Sequence, residues 1–143
     1  MATTRADKST RRSQKQIIYS DFTTNLDVHP DTGDLFLITN ENAIKRSLKN
    51  LVYTNVYERL YVPTFGGNII KSLFENATTD SLYAIQQQLD NAITNFEPRV
   101  TLTSINLTTS DVAGAVGVNI TITYTINKIP GVQSLNIFVD RVR

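Results

Sequence analysis

Carboxylates are the side chains of this 143-residue sequence best suited to acid–base work: Glu58, Glu75 and Glu97, with several aspartates. Two carboxyl groups flanking a glycosidic bond can hydrolyse it, one donating a proton and the other acting as base or nucleophile. Such a pair is defined by its separation in space and by a raised pKa on the donor, and spacing along this chain favours no pair. The single histidine, His29, lies between Asp27 and Asp31 in a Pro30- and Gly33-containing stretch. That spacing fits neither a calcium loop nor a zinc motif, so a solvated turn is expected. There is no cysteine, hence no disulfide, thiolate ligand or cysteine nucleophile. No G-x-S-x-G elbow, HExxH, Walker loop or GxGxxG occurs, and Phe65-Gly66-Gly67-Asn68 is too short to cradle a phosphate. No cofactor, metal or small-molecule substrate is expected, and the sequence reads as a non-enzyme.

The elements that would position any site follow from hydrophobic spacing. Residues 1–16 carry Arg5, Lys8, Arg11, Arg12 and Lys15 against Asp7 and almost no apolar side chains, which predicts a mobile basic arm. Residues 17–143 read as a single α+β domain. Ile17 to Phe22 can form a short strand, Asp27 to Asp34 a turn, and Leu35 to Ile38 a short apolar run. Thr39 or Asn40 can cap a first helix, along which Ile44, Leu48, Leu51, Val52, Val56 and Leu60 recur at helical spacing. Ile69 to Phe74 suggests a short second helix. Leu82, Ile85, Leu89, Ala92, Ile93 and Phe96 mark a third, ended by Pro98.

After Pro98 the period changes to two. Arg99 to Leu107 is β-rich, with a slip near Ser104 that signals a bulge. Val116, Val118, Ile120, Ile122, Tyr124 and Ile126 then alternate with Asn and Thr, and Leu135, Ile137 and Val139 alternate again. The expected fold is about three helices packed on a small antiparallel three-stranded sheet. From Val112 to Asn127 there is no charged residue and no proline. An uncharged strand of that kind is an aggregation hazard at an open edge, unless it is buried or a partner chain adds strands to the sheet.

Composition narrows the function classes. With 41% hydrophobic and 19% charged residues and a net charge of +1, the chain is an ordinary globular sequence whose bulk charge points to no polyanion. No apolar run approaches the roughly 18 residues of a membrane span, and the polar, basic start lacks a signal-peptide core. Nucleic-acid contact through the arm is a minor alternative, with steep salt dependence as its signature.

One resemblance is specific. Ile44 to Leu60, Pro63-Thr-Phe-Gly66, Leu73-Phe74-Glu75 and Glu97-Pro98-Arg99 occur in the order and spacing of a known family. About residues 40 to 127 resemble the phage baseplate wedge subunits that initiate the tail sheath, a family shared with type VI secretion baseplates. Where that family usually has Gly before Glu-Arg, this chain has Tyr57, so a helical local turn is expected instead.

The resemblance implies a structural virion protein, assembled in the host cytoplasm, that binds other baseplate wedge proteins and the tail sheath protein. It implies that the strands from Val116 to Ile126 and Leu135 to Val139, with Ile120, Ile122, Tyr124 and Ile137, template the first sheath ring by strand addition. It also implies docking of neighbours at Glu97, Pro98 and Arg99 and at Glu58 and Arg59. Arg99 would offer a partner carboxylate a bidentate contact, so Arg99→Ala is expected to spare the fold. Members of the family have carried a lysozyme label, and a cell-wall-degrading glycosidase of the tail is the alternative reading.

Overall fold

A computed structural model describes residues 16–73, 79–112 and 115–140. The expected arm, apart from Gln16, lies outside them, as do Glu75 and Phe74.

Two short strands, β1 (Ser20–Phe22) and β2 (Leu37–Thr39), pair antiparallel with Phe22 opposite Leu37 and Ser20 opposite Thr39. The intervening turn is closed by a Val28–Leu35 bridge. Gly33 turns it at φ 71°, and the Asp31 N–H donates to His29 Nδ1 at 3.2 Å. This second, two-stranded sheet corrects the expected architecture, which contained only the meander. The segments are so short that their apolar residues carry no readable period.

Helix α1 (Glu41–Tyr53) buries Ala43, Ile44, Leu48, Leu51 and Val52 on one face. It ends about two turns before the expected Leu60. The Thr54 N–H and hydroxyl both bond the Asn50 carbonyl, Thr54 is extended, and Leu60 is 92% exposed. Asn40 stands at the helix start but does not cap it. Its φ is 51°, and its side chain turns back to accept the N–H groups of Ile18 (2.8 Å) and Tyr19 (3.2 Å) and to donate to the Gln16 carbonyl (2.9 Å). The N-terminal strand is thereby fastened to the helix.

Helix α2 (Ile69–Leu73) is one short turn, and α3 (Thr79–Phe96) is the long helix read from the sequence. Strands β3 (Val100–Val112), β4 (Ala115–Ile126) and β5 (Ile129–Asp140) form an antiparallel meander in the order β3-β4-β5. The register of β3 shifts between Leu102 and Ser104, where the alternation in the sequence slips. A second shift lies opposite Pro130 and Gly131 of β5.

The helices cover one face of this sheet. Ile44, Leu48 and Val52 of α1 and Ile85, Leu89 and Ile93 of α3 share a buried cluster with Val118, Ile120, Ile122, Tyr124 and Ile126 of β4. Burying each such side chain contributes on the order of 1.5–3 kcal/mol, which makes this layer the main source of stability.

Candidate partner-docking site

The helix-to-strand corner is built by Pro98. The Glu97 N–H still bonds the Ile93 carbonyl (2.9 Å), and the Val100 N–H then takes the Glu97 carbonyl (3.2 Å). This geometry turns the Glu97 side chain inward, where it is 3% exposed. Its carboxylate accepts from Arg99 Nε (2.5 Å), Arg99 Nη2 (2.7 Å) and Ser47 Oγ of α1 (2.5 Å). Arg99 Nη2 also lies 3.2 Å from Ser47 Oγ, and the guanidinium carbon is 5.7 Å from the centre of the Tyr19 ring.

Burial by itself would raise the Glu97 pKa. Hydrogen bonds from Arg99 and Ser47, with the Arg99 charge, outweigh it and hold the carboxyl below its usual value. The expected outward fork of Arg99 is thus directed inward. Its bidentate edge is spent on Glu97, because a buried carboxylate without a paired cation would be far costlier than a surface one. Ser47 was not singled out in the sequence. Its signal was a polar residue three places after Ile44, on the apolar stripe of α1.

Between α1 and α2 the chain makes a braced loop. The Glu58 carboxylate accepts the Asn55 backbone N–H (2.9 Å) and Asn55 Nδ2 (2.7 Å). The backbone bond is the larger cause of its lowered pKa, ahead of the side-chain bond. Arg59 lies over the Phe65 ring, 3.8 Å from guanidinium carbon to ring centre. The turn expected to be helical at Tyr57 is not: Tyr57 has φ 74°, and its N–H bonds the Pro63 carbonyl at 2.7 Å. The backbone needs a left-handed residue there, and tyrosine is held in that conformation by the surrounding bonds. Tyr57 and Tyr61 project into solvent, 81% and 97% exposed.

Strand β4 is the middle strand, so both of its edges are already paired. Ile120, Ile122 and Tyr124 are fully buried under the helices, and Ile137 is buried on β5. These four side chains build the core and do not face a partner. Any added strand must meet the outer backbone of β3 or β5, which take no further strand among the described residues. On β5 the register with β4 is unbroken from Ser134 to Asp140, and Tyr53 of α1 donates to the Phe138 carbonyl at 3.3 Å. The Tyr124 hydroxyl, buried and without a hydrogen-bond partner among the described residues, has its pKa pushed up to about 12 by burial and then by the Glu41 charge.

The two described glutamates raised for glycosidic chemistry, Glu58 and Glu97, both have lowered pKa values. A proton donor to a glycosidic oxygen needs the opposite shift. Among the described residues no group of three or more His, Cys, Asp or Glu is placed to hold a metal ion, and no helix is long and apolar enough to cross a membrane.

Comparison with known proteins matches this frame. The family described as baseplate wedge protein gp25 matches residues 39–130, from the end of β2 to the first residues of β5. The baseplate wedge protein gp25 of Enterobacteria phage T4 is 31% identical over 65 residues. That match spans 46% of this chain and 49% of the T4 protein, about half its length. A crystal structure from Geobacter sulfurreducens, of a protein provisionally named tail lysozyme, has a TM-score of 0.64 at 23% identity. It covers 76% of this chain and 97% of that one. A chain of the anti-feeding prophage baseplate gives a TM-score of 0.58 at 20% identity, covering 87% of each chain. A chain of the postcontracted pyocin R2 baseplate gives 0.54 at 16% identity, covering 71% of this chain and 97% of that one. At these identities the solved structures establish the fold alone.

Proposed function

The chain belongs to the baseplate wedge protein gp25 family, and from that premise we propose that it is a structural subunit of a contractile-tail baseplate which docks neighbouring wedge proteins and starts the sheath by β-strand addition. The observation that carries this reading is the family match, which takes in α1, the Glu97–Arg99 corner and all of β3 and β4. The sheet supplies the chemistry. A long meander whose outer strands pair with no further strand among the described residues can accept another chain's strand through backbone N–H and C=O groups, without special side chains. Each such bond forms in any side-chain context, so the junction can hold while the rest of a sheath rearranges.

Docking of wedge neighbours falls to the solvent side of the corner, where Pro98 is exposed and Arg99 is partly so, and to the loop carrying Glu58 and Arg59. The internal fork shapes the corner, and its rigidity presents that surface to a neighbour.

The edge is tested by a pair of substitutions. Along a strand, successive N–H groups point alternately to the paired side and the open side. Of Ser134→Pro and Leu135→Pro, one therefore removes a ladder bond to β4 and the other an open-edge donor. The variant that keeps its fold by circular dichroism should lose sheath initiation when mixed with the cognate sheath and baseplate proteins. Full initiation by that folded variant would exclude the β5 edge.

The tail-lysozyme name of one structural relative belongs to that protein. With Glu58 and Glu97 shifted away from acid function, purified protein should release no fragments from peptidoglycan. Release that Glu58→Gln abolishes would restore the glycosidase reading.

A further inference from the structure

Helix α1 runs alongside the outer strand β5. At the start of the helix the Asn40 N–H bonds the Tyr19 carbonyl (2.7 Å), and the Tyr19 hydroxyl donates to the Asn127 carbonyl (3.1 Å) in the turn that leads into β5. At its end, Tyr53 donates to the Phe138 carbonyl towards the end of β5 (3.3 Å). Helix and strand therefore run in the same direction. The roll of the helix is fixed as well. Ser47 bonds Glu97 (2.5 Å) just before β3, the opposite edge strand of the sheet. Lys45 and Lys49 each stand two residues from Ser47, about 200° around the helix, and so turn away from β3 to the β5 side. Tyr53 continues their line, with Lys49 Nζ 5.8 Å from the centre of its ring.

This flank of the sheet is basic. Lys49 is exposed and Lys45 half-buried, and neither is ion-paired among the described residues. The one acid of α1, Glu41, lies in its first turn, and β5 carries no charged side chain from Ile129 to Val139. Lys128, exposed in the β4–β5 turn, adds a cation at the same edge.

The spacing of the two helix lysines matches a strand. They are about 6 Å apart along the helix axis at roughly 1.5 Å per residue. Side chains two residues apart on one face of a strand are about 6.6 Å apart. A strand laid on the β5 edge thus brings alternate side chains past α1 in step with the two ammonium groups. Carboxylates there meet opposite charge, whereas lysine or arginine meets like charge.

We propose that the β5 edge selects a partner strand whose helix-facing side carries two carboxylates two residues apart, received by Lys45 and Lys49. The inference rests on strand addition as the way this chain takes its partner, and it adds the edge used and the chemistry of the incoming strand. Backbone bonds supply the affinity, and the lysines choose among strands.

The probes are three short, end-blocked peptides repeating Glu-Val, Gln-Val or Lys-Val, each titrated into the isotope-labelled full chain at low ionic strength and followed by amide NMR shifts. The Glu-Val peptide is expected to shift Ser134 to Phe138 together with Lys45, Lys49 and Tyr53. It should bind several-fold more tightly than Gln-Val, with Lys-Val weakest, and added salt should erase the preference. In the Lys45→Gln, Lys49→Gln double variant, Glu-Val and Gln-Val should bind β5 alike. Equal binding of those two peptides at β5 of the wild-type chain would overturn the charge selection and leave strand addition standing. Shifts confined to β3 would overturn the choice of edge. Absence of shifts on both outer strands with every peptide would overturn strand addition itself, and this proposal with it.

Discussion

At the residue scale the Glu97–Arg99–Ser47 cluster decides how the corner behaves. Removing one member of a fully buried ion pair costs roughly 3–5 kcal/mol. Arg99 is 38% exposed, so water can partly replace it and the cost of Arg99→Ala should fall to about 2 kcal/mol. This replaces the expectation that the substitution spares the fold. The sign with pH follows from Glu97. Its folded pKa lies below the ordinary 4.5, so it stabilises the fold above that value and ceases to do so as pH falls through the folded pKa. Urea midpoints for wild type and Arg99→Ala should therefore differ clearly at neutral pH and converge in acid. A gap that is constant down to pH 3 would show that the carboxylate is not what Arg99 supports.

Tyr57 gives a stabilising prediction of the same kind. A left-handed conformation costs an L-residue roughly 1–2 kcal/mol, and glycine gives back about 0.5–1 kcal/mol through its unfolded-state freedom. Tyr57→Gly should raise stability by about 0.5–1 kcal/mol in equilibrium urea unfolding. Destabilisation would mean that the exposed ring contributes packing.

At the element scale, Asn40 joins the N-terminal strand to α1. Asn40→Ala removes three side-chain hydrogen bonds from a buried position and should cost about 2 kcal/mol or more. Amide exchange should speed up from Ile18 to Phe22 more than in α3, and uniform exchange would contradict a local clasp. Gly66 holds the return of the braced loop. It has φ 125°, and a Cβ there would lie 2.3 Å from the Thr54 carbonyl oxygen. Gly66→Ala should be severely destabilising, whereas Gly33→Ala, with open space around it, should cost only about 1 kcal/mol.

These same positions show what could be read in advance. Helix α3 and strand β4 were legible because long, strongly periodic segments bury one face. The bulge near Ser104 was legible because alternation slips there. The end of α1 was not, because Val56 and Leu60 keep helical spacing after the backbone has left the helix. What ends it is the extended backbone of Thr54, whose N–H and hydroxyl both bond the Asn50 carbonyl, followed by a positive φ at Tyr57, residue types that give no such signal. The inward turn of Glu97 was also hidden, since its partner Ser47 lies fifty residues away in sequence. Likewise, the uncharged character of β4 marked burial in mid-sheet, so the proposed strand addition must use the outer strands β3 and β5.

At the scale of the whole molecule, the buried side belongs to folding and, under the proposed function, the remaining surfaces to assembly. The helices cover one face of the meander, the corner is locked by an internal fork, and the loop at Tyr57 is braced from within. A rigid body whose outer strands pair with no further strand among the described residues suits the proposed part in a larger machine. The central claim is that sheath growth depends on this chain. The most direct measurement mixes cognate sheath protein with baseplate components, with and without the chain, and scores ordered sheath by electron microscopy. The account predicts ordered sheath only when the chain is present, rising from baseplates that contain it. Equal growth of ordered sheath in its absence would contradict it.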